Sequence, residues 1–393
     1  MHSDLPTPDP EALAHSDQLA AHLRAEIQAS GGAIPFSRFM ELALYAPGWG
    51  YYSAGASKFG GAGDFVTAPE MGVLFAATTA NALAPVLREL GPRSRFLELG
   101  GGSGAFAEVL LKHLHALDAL PGRYAILEPS ADLRQRQRER LSRLDPGIGS
   151  RVEWLDRPFD DAWEGVLFAN EVIDALPTPR FLARAGEIYE ETVRLDGDGN
   201  FVCGEQPADV LLLGAVRHIE QYLQKPFASG YRSEVLPQLP YWIQAVVGGM
   251  QRGAMLFVDY GYVRSEFYQD DRNDGTMRAF YRHHVHNDVY RWPGLQDLTA
   301  SVDFTALAEA GTGAGFDLAG YCTQSSFLLG NGLMQVLAHA EAETDEVGKV
   351  ALREQVKRLT LPTEMGERFQ VMGFARDVDL EPAFALGDLT WRL

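Results

Sequence analysis

Glu98-Leu99-Gly100-Gly101-Gly102-Ser103-Gly104 lies between a short apolar run, RFLEL (95–99), and an amphipathic stretch, AFAEVLLKHLHAL (105–117). The apolar run is short enough for a buried strand, and the stretch after it carries helical spacing. Glycines remove the Cβ atoms that block close approach, and the N–H groups that open a helix face whatever lies on the turn. The segment therefore suits a ligand held against the backbone. Its plainer use is to pack a helix on a strand.

Downstream the same rhythm repeats. RYAILE (123–128) reads as a second strand and ADLRQRQRERLSRL (131–144) as a charged helix, with VEWLD (152–156) and VLFAN (166–170) as third and fourth strands. Alternating strands and helices predict an α/β fold with a parallel, doubly wound sheet. FLARAGEIYEETVRLDGDGNFVCG (181–204) breaks the rhythm, and its Asp196-Gly197-Asp198-Gly199-Asn200 turn predicts an antiparallel β-hairpin insertion. YWIQAVVGGM (241–250) and AMLFVDYG (254–261) restore a helix and a buried strand, followed by a helix at DFTALAEAG (303–311) and a strand at FDLAGYCTQ (316–324).

Upstream, 11–29 and 35–45 read as helices, 49–69 as a long loop and 70–90 as a further helix. The expected division is an N-terminal helical accessory region over 1–93 and a sheet domain over 94–393, with an insertion around 180–240.

Two cofactor classes fit the glycine turn. Gly100, Gly102 and Ala105 satisfy G-x-G-x-x-A, a dinucleotide pattern whose second glycine faces a pyrophosphate. Glu98 argues the other way: at the strand end it would repel a pyrophosphate, whereas it can accept hydrogen bonds from the amino-acid part of S-adenosyl-L-methionine. Glu128, closing the second strand, can pair with ribose hydroxyls in either case. Asp156, closing the third, stands where methyltransferases contact adenine. Gly104 completes the turn.

PFSRFMELALYAPGWGYY (35–52), GDFVTAPE (63–70), LELGGGSG (97–104), NEVIDALP (170–177), VDYGY (258–262), DLTASVDF (297–304) and MGERF (365–369) occur in that order. In motifs and spacing the chain resembles the MidA-like family, which includes the mitochondrial complex I assembly protein arginine methyltransferase. The resemblance runs from about 34 to 372. It implies a Rossmann-like seven-strand sheet binding S-adenosyl-L-methionine, an added N-terminal region and a hairpin insertion. It also implies a protein substrate presenting an arginine. The mitochondrial members carry His-Glu-Phe-Phe-Asp where this chain has Asn170-Glu171-Val172-Ile173-Asp174, so the Glu and Asp persist and the first residue differs.

A guanidinium is planar and always charged, and carboxylates grip it through paired hydrogen bonds. Glu171 is the first candidate for that grip and Asp174 the second; the plainer use of either is to cap a following helix. Asn170 contacts the cofactor or holds the loop. Asp64, Thr67 and Glu70 lie on a stretch able to fold over the cofactor, though Thr67 and Glu70 equally suit a helix start. Asp259 and Tyr260 end a buried strand, where Asp259 either grips a cationic substrate or holds another loop. His283, His284 and His286 fit no zinc spacing and read as loop histidines, so no metal is expected. Thr299 and Asp303 are candidate helix caps. Met365–Phe369 has no assigned chemistry.

The 393-residue chain is 46% hydrophobic with a formal net charge of -19. That balance argues against nucleic-acid binding, which needs basic surface, and favours cationic partners. No apolar run is long enough to span a bilayer. Cys203 and Cys322 stand apart without a CxxC partner and read as buried fillers in a reducing compartment. Residues 1–20 lack the pattern of a secretory signal or an Arg-rich transit peptide, so the expectation is a cytoplasmic protein of bacterial type. The reading favoured is an S-adenosyl-L-methionine-dependent methyltransferase acting on protein arginine. A cofactor-binding assembly factor and a nicotinamide-dependent oxidoreductase are the alternatives. Oligomeric state is not legible.

Overall fold

Seven segments rich in Val, Ile, Leu and Phe form the main path of an eight-stranded sheet: β1 (Arg95–Leu99), β2 (Arg123–Leu127), β3 (Val152–Leu155), β4 (Ala162–Asn170), β5 (Gly249–Tyr262), β6 (Asp317–Thr323) and β7 (Phe369–Arg376). The computed structural model describes residues 5–53 and 68–393. Their order across the sheet is β6-β7-β5-β4-β1-β2-β3. Strands β3, β2, β1, β4 and β5 pair parallel, and β7 runs antiparallel to both β5 and β6. The chain winds outward from β1 through β2 to β3, then returns across β1 to β4. That reversal opens a crevice at the carboxyl ends of β1 and β4, where open α/β sheets bind ligands.

The sheet belongs to a unit made of Val66–Val172, Leu239–Gly261 and Phe304–Leu393. Phe96, Tyr124, Val166, Phe168, Leu256 and Val258 share one buried cluster with side chains of the helices Val73–Leu90 and Ala105–Ala116. Phe106 stacks on Phe168 with ring centroids 4.2 Å apart. Burying a side chain of this size is worth about 1.5–3 kcal/mol, so this face fixes both helices on the sheet. The helix expected over 70–90 is divided. Ala68–Met71 forms a single 3-10 turn, and Gly72 at φ 142° separates it from Val73–Leu90.

Met1–Phe65, Ile173–Gln238 and Tyr262–Asp303 form a second unit. Its helices Pro10–Ala29 and Phe36–Tyr45 match the expected ones closely, and Asp9 caps the first by accepting from Ala12 N at 2.9 Å. The insertion is larger than one hairpin. Arg180–Arg184, Glu187–Leu195 and Phe201–Pro207 form a meander, extended by Ala33–Pro35 and Arg232–Glu234 into five antiparallel strands. Arg180 is buried in this sheet between Glu191 at 3.0 Å and Glu234 at 3.1 Å. His284–His286 belongs to a small three-stranded sheet with Arg278–Tyr281 and Asp297–Thr299. Two expectations change there: His284 and His286 stand on a strand rather than a loop, and Thr299 ends a strand rather than capping a helix. Asp303 does precede the helix Phe304–Gly313 and pairs with the buried Arg264 at 3.1 Å. Cys322 is buried, whereas Cys203 is only half-buried.

Candidate active site

The glycine turn leaves β1 at Leu99 and enters the helix Ala105–Ala116 at Gly104. Gly100 N donates to Leu127 O at 3.0 Å, which carries the β1–β2 pairing one step onto the turn. Gly100, Gly102 and Gly104 have φ of 64°, 51° and 81°, a region that side-chain-bearing residues enter at a cost. Gly101 is packed from behind, since a Cβ there would stand 2.8 Å from Ile126 Cγ2. Among the described residues, the one atom within 4 Å of a Cβ placed on Gly102 is Glu70 Oε1 at 3.8 Å. The turn thus presents bare backbone on one side, with the Glu70 carboxylate beside it.

Two buried carboxylates close the floor. Glu98 Oε2 accepts from the Tyr124 hydroxyl at 2.8 Å. Burial, and secondarily the charge of Glu128, push the Glu98 carboxyl up to about 8, against the Tyr124 hydrogen bond. Glu128 accepts from Ser130 N at 2.9 Å and from Gln137 Nε2 at 3.3 Å. Gln137 Nε2 also donates to Gly102 O at 2.9 Å, and Gln137 Oε1 accepts from Trp154 Nε1 at 2.8 Å. One fully buried glutamine therefore ties the turn, the second strand and the third together.

Asp156 stands at the end of β3 as expected, but its carboxylate is 90% exposed and paired to Arg134 at 2.6 Å. Arg134 also donates to Leu155 O at 2.6 Å and to Glu128 O, joining the ends of β2 and β3. Asp259 is buried near the end of β5, where one carboxylate oxygen accepts from Tyr260 N at 2.9 Å.

Asn170 ends β4 and Glu171 follows it. Glu171 has φ 53°, a left-handed conformation that costs a residue with a Cβ roughly 1–2 kcal/mol. Two hydrogen bonds among those of the described residues help hold it there. Glu171 N donates to Val258 O on β5 at 2.9 Å, and Asn170 Nδ2 donates to Glu171 Oε1 at 3.0 Å. Val172 Cγ2 lies 3.2 Å from where a Cβ on Gly100 would be, so this bend packs against the glycine turn. No helix begins after Glu171 or Asp174, which removes the capping reading for both.

Asp174 is assigned to the second unit. It is buried, and its backbone carbonyl accepts from Ala300 N at 2.9 Å. The Tyr52 hydroxyl of the same unit donates to Asp297 at 3.0 Å. Burial and the charges of Asp297 and Asp174 raise the Tyr52 hydroxyl. Asp64 and Thr67 lie outside the described residues. Among the described residues no group of three or more His, Cys, Asp or Glu is placed to hold a metal ion.

Tyr124, Arg134, Gln137 and Trp154 escaped the sequence reading. Arg134 and Gln137 do stand three residues apart on one helix, a spacing that puts both on the same face. That spacing was the available sign that the helix 131–144 turns polar groups toward the strand ends.

Residues 78–322, more than half of the chain, match a family model of S-adenosyl-L-methionine-dependent methyltransferases. The chain belongs to this family. A Burkholderia thailandensis protein crystallised with S-adenosyl-homocysteine is 42% identical, with a TM-score of 0.91 over 99% of this chain and 100% of that one. A native Burkholderia thailandensis structure, also 42% identical, has a TM-score of 0.86 over the same spans. The protein named arginine methyltransferase NDUFAF7 homolog, mitochondrial, from Drosophila melanogaster is 29% identical over 93% of this chain and 88% of its own length. Its Danio rerio counterpart is 29% identical over 89% of this chain and 85% of its own.

S-adenosyl-L-methionine is thus the cofactor of this methyltransferase, and the nicotinamide alternative falls. The residues fit the group. An open, Cβ-free turn suits close approach of the donor, and carboxylates at the ends of two adjacent strands suit its amine and its hydroxyls. Its fold contains the expected seven-strand path, within an eight-stranded sheet, with added N-terminal helices and a β insertion.

Proposed function

We propose that the protein methylates arginine side chains of a protein substrate, with Glu171 gripping the guanidinium. The observation that carries this reading is the bend at Glu171. A glutamate held by hydrogen bonds in a strained conformation, packed on the cofactor turn at the end of β4, is positioned at structural cost. The names of the mitochondrial relatives support an arginine acceptor. A net charge of -19 favours a cationic partner.

In this reading Glu98, Gly100, Gly102, Gly104, Glu128 and Glu70 hold the cofactor. When bound, S-adenosyl-L-methionine would supply a methyl group on a positively charged sulfur that keeps the C–S electron pair once nitrogen takes the methyl. The chain's own task is placement. Glu171 accepts N–H bonds from the guanidinium, turns one nitrogen toward the donor and draws positive charge away from it. The nitrogen that gains a methyl group must shed a proton, and the Glu171 carboxylate takes it and releases it to water.

Product chemistry tests the proposal. The protein is incubated with a deuterated methyl donor and arginine-bearing proteins from its host, and the hydrolysed products are resolved by mass spectrometry. Label in methylarginine is expected. Label confined to lysine, to an oxygen or to a small molecule would overturn it.

A further inference from the structure

Asn170 is fixed in orientation by chemistry. A carboxylate only accepts hydrogen bonds, so the amide nitrogen must face Glu171 Oε1, 3.0 Å away. The amide oxygen is then turned elsewhere. Asn170 Oδ1 is buried and has no hydrogen-bond partner among the described residues. The nearest backbone donor in sequence, Glu171 N, is already committed to Val258 O. A buried amide carbonyl left without a donor is costly, which makes it a candidate for a donor brought by a ligand.

We propose that Asn170 Oδ1 is a second acceptor of the methyl-accepting site, taking one N–H of the acceptor group while Glu171 takes another. The inference rests on the Glu171 grip proposed above and extends it to the class of acceptor. One side chain does two things: Nδ2 steadies the carboxylate, and Oδ1 presents a neutral acceptor next to it. Neutrality matters, because a second carboxylate there would raise its neighbour's pKa and tend to trap a proton between the two. Two acceptors side by side select a group carrying at least two N–H bonds. A guanidinium offers them in one plane, and an amine offers them on one nitrogen. A hydroxyl carries one proton and leaves one acceptor empty, a loss that discriminates strongly in buried sites.

The probe is N-acetyl-arginine amide, titrated into the full chain saturated with S-adenosylhomocysteine. Calorimetry reads affinity, and nitrogen-15 spectra read the Asn170 side-chain amide. S-adenosylhomocysteine affinity and melting temperature serve as controls for folding. The wild-type chain is expected to bind the probe and shift the Asn170 signal. Asn170→Leu removes both functions and is expected to weaken the probe by about tenfold or more, the scale of one hydrogen bond to a charged group. Asn170→His, whose neutral ring keeps one donor and one acceptor, is expected to stay within roughly threefold. Tetramethylammonium, a cation without N–H bonds, is expected to bind the wild type and Asn170→Leu alike.

If Asn170→Leu binds the probe as the wild type does while Glu171→Gln weakens it, the inference fails and the Glu171 grip stands. If neither variant changes binding, both fail. An unmoved Asn170 signal, or no binding by the wild type, overturns the inference. Should Asn170→Leu not fold, the Asn170 signal and the Asn170→His comparison decide alone.

Discussion

Tyr124 aims its hydroxyl at Glu98 Oε2 across 2.8 Å, from the strand next to the one that carries the glutamate. Both side chains are buried, and the glutamate carboxyl lies at about 8 instead of its ordinary 4.5. The folded chain therefore holds a proton on Glu98 that the unfolded chain has released, across the window between those two values. The sign follows from linkage. A raised folded-state pKa contributes stability that is full below 4.5 and is lost progressively as pH rises through about 8. Glu98→Gln keeps the neutral form at every pH. Its melting temperature relative to the wild type is expected to climb between pH 5 and pH 9. A difference that stays flat across that range would contradict the burial argument.

Removing the hydroxyl sharpens the same point. Tyr124→Phe takes the hydroxyl donor away from Glu98 and is expected to lift its pKa further. Destabilisation of about 1–3 kcal/mol, larger at pH 9 than at pH 6, is expected because an ionised buried carboxylate then goes unsatisfied. Chemical denaturation at the two pH values measures it.

Gln137 tests whether the turn is held from outside. Its amide bonds Gly102 O and the Glu128 carboxylate, and Trp154 donates to its carbonyl. Gln137→Leu keeps the volume and removes all three. Stability is expected to fall by about 1–3 kcal/mol. Affinity for S-adenosylhomocysteine is expected to fall with it, although Gln137 has no proposed contact with the cofactor. Unchanged affinity in calorimetry would show that the turn needs no such support.

Gly102→Ala separates conformation from access. The φ of 51° makes alanine unfavourable there by about 1 kcal/mol, yet no atom of the described residues lies closer than 3.8 Å to its Cβ. The folded chain is expected to tolerate the change. Binding of S-adenosylhomocysteine is expected to drop at least tenfold, because the added methyl stands on the bare side of the turn. Equal affinity would place the donor elsewhere.

Much of this arrangement was legible before any coordinates. Strands β1 to β4 and their helices are local patterns of period two and 3.6, and glycine spacing reports the turn because side chains there are forbidden. What was hidden is non-local. Tyr124 meets Glu98, and Gln137 meets Gly102, only once β2 lies beside β1 and the helix after β2 folds back. Strand β7 was missed because its pattern, FQVMGFAR, is a short apolar run that helix and strand share. The five-stranded insertion draws strands from three distant segments, so a single hairpin was all that local alternation could show. The bend at Glu171 was legible as chemistry but not as geometry, since a left-handed glutamate leaves no trace in sequence.

The Glu171 grip is tested most directly by comparing Glu171→Gln with the wild type on one arginine-bearing substrate, with donor-product affinity measured alongside. Glu171→Gln removes a charge and leaves the shape of the bend. Affinity for S-adenosylhomocysteine is expected to stay within about twofold, while methyl transfer falls by roughly 100-fold or more, about 2.7 kcal/mol of lost stabilisation. Transfer that persists at the wild-type rate, or a loss fully matched by weaker binding of the donor product, would contradict a guanidinium grip at Glu171.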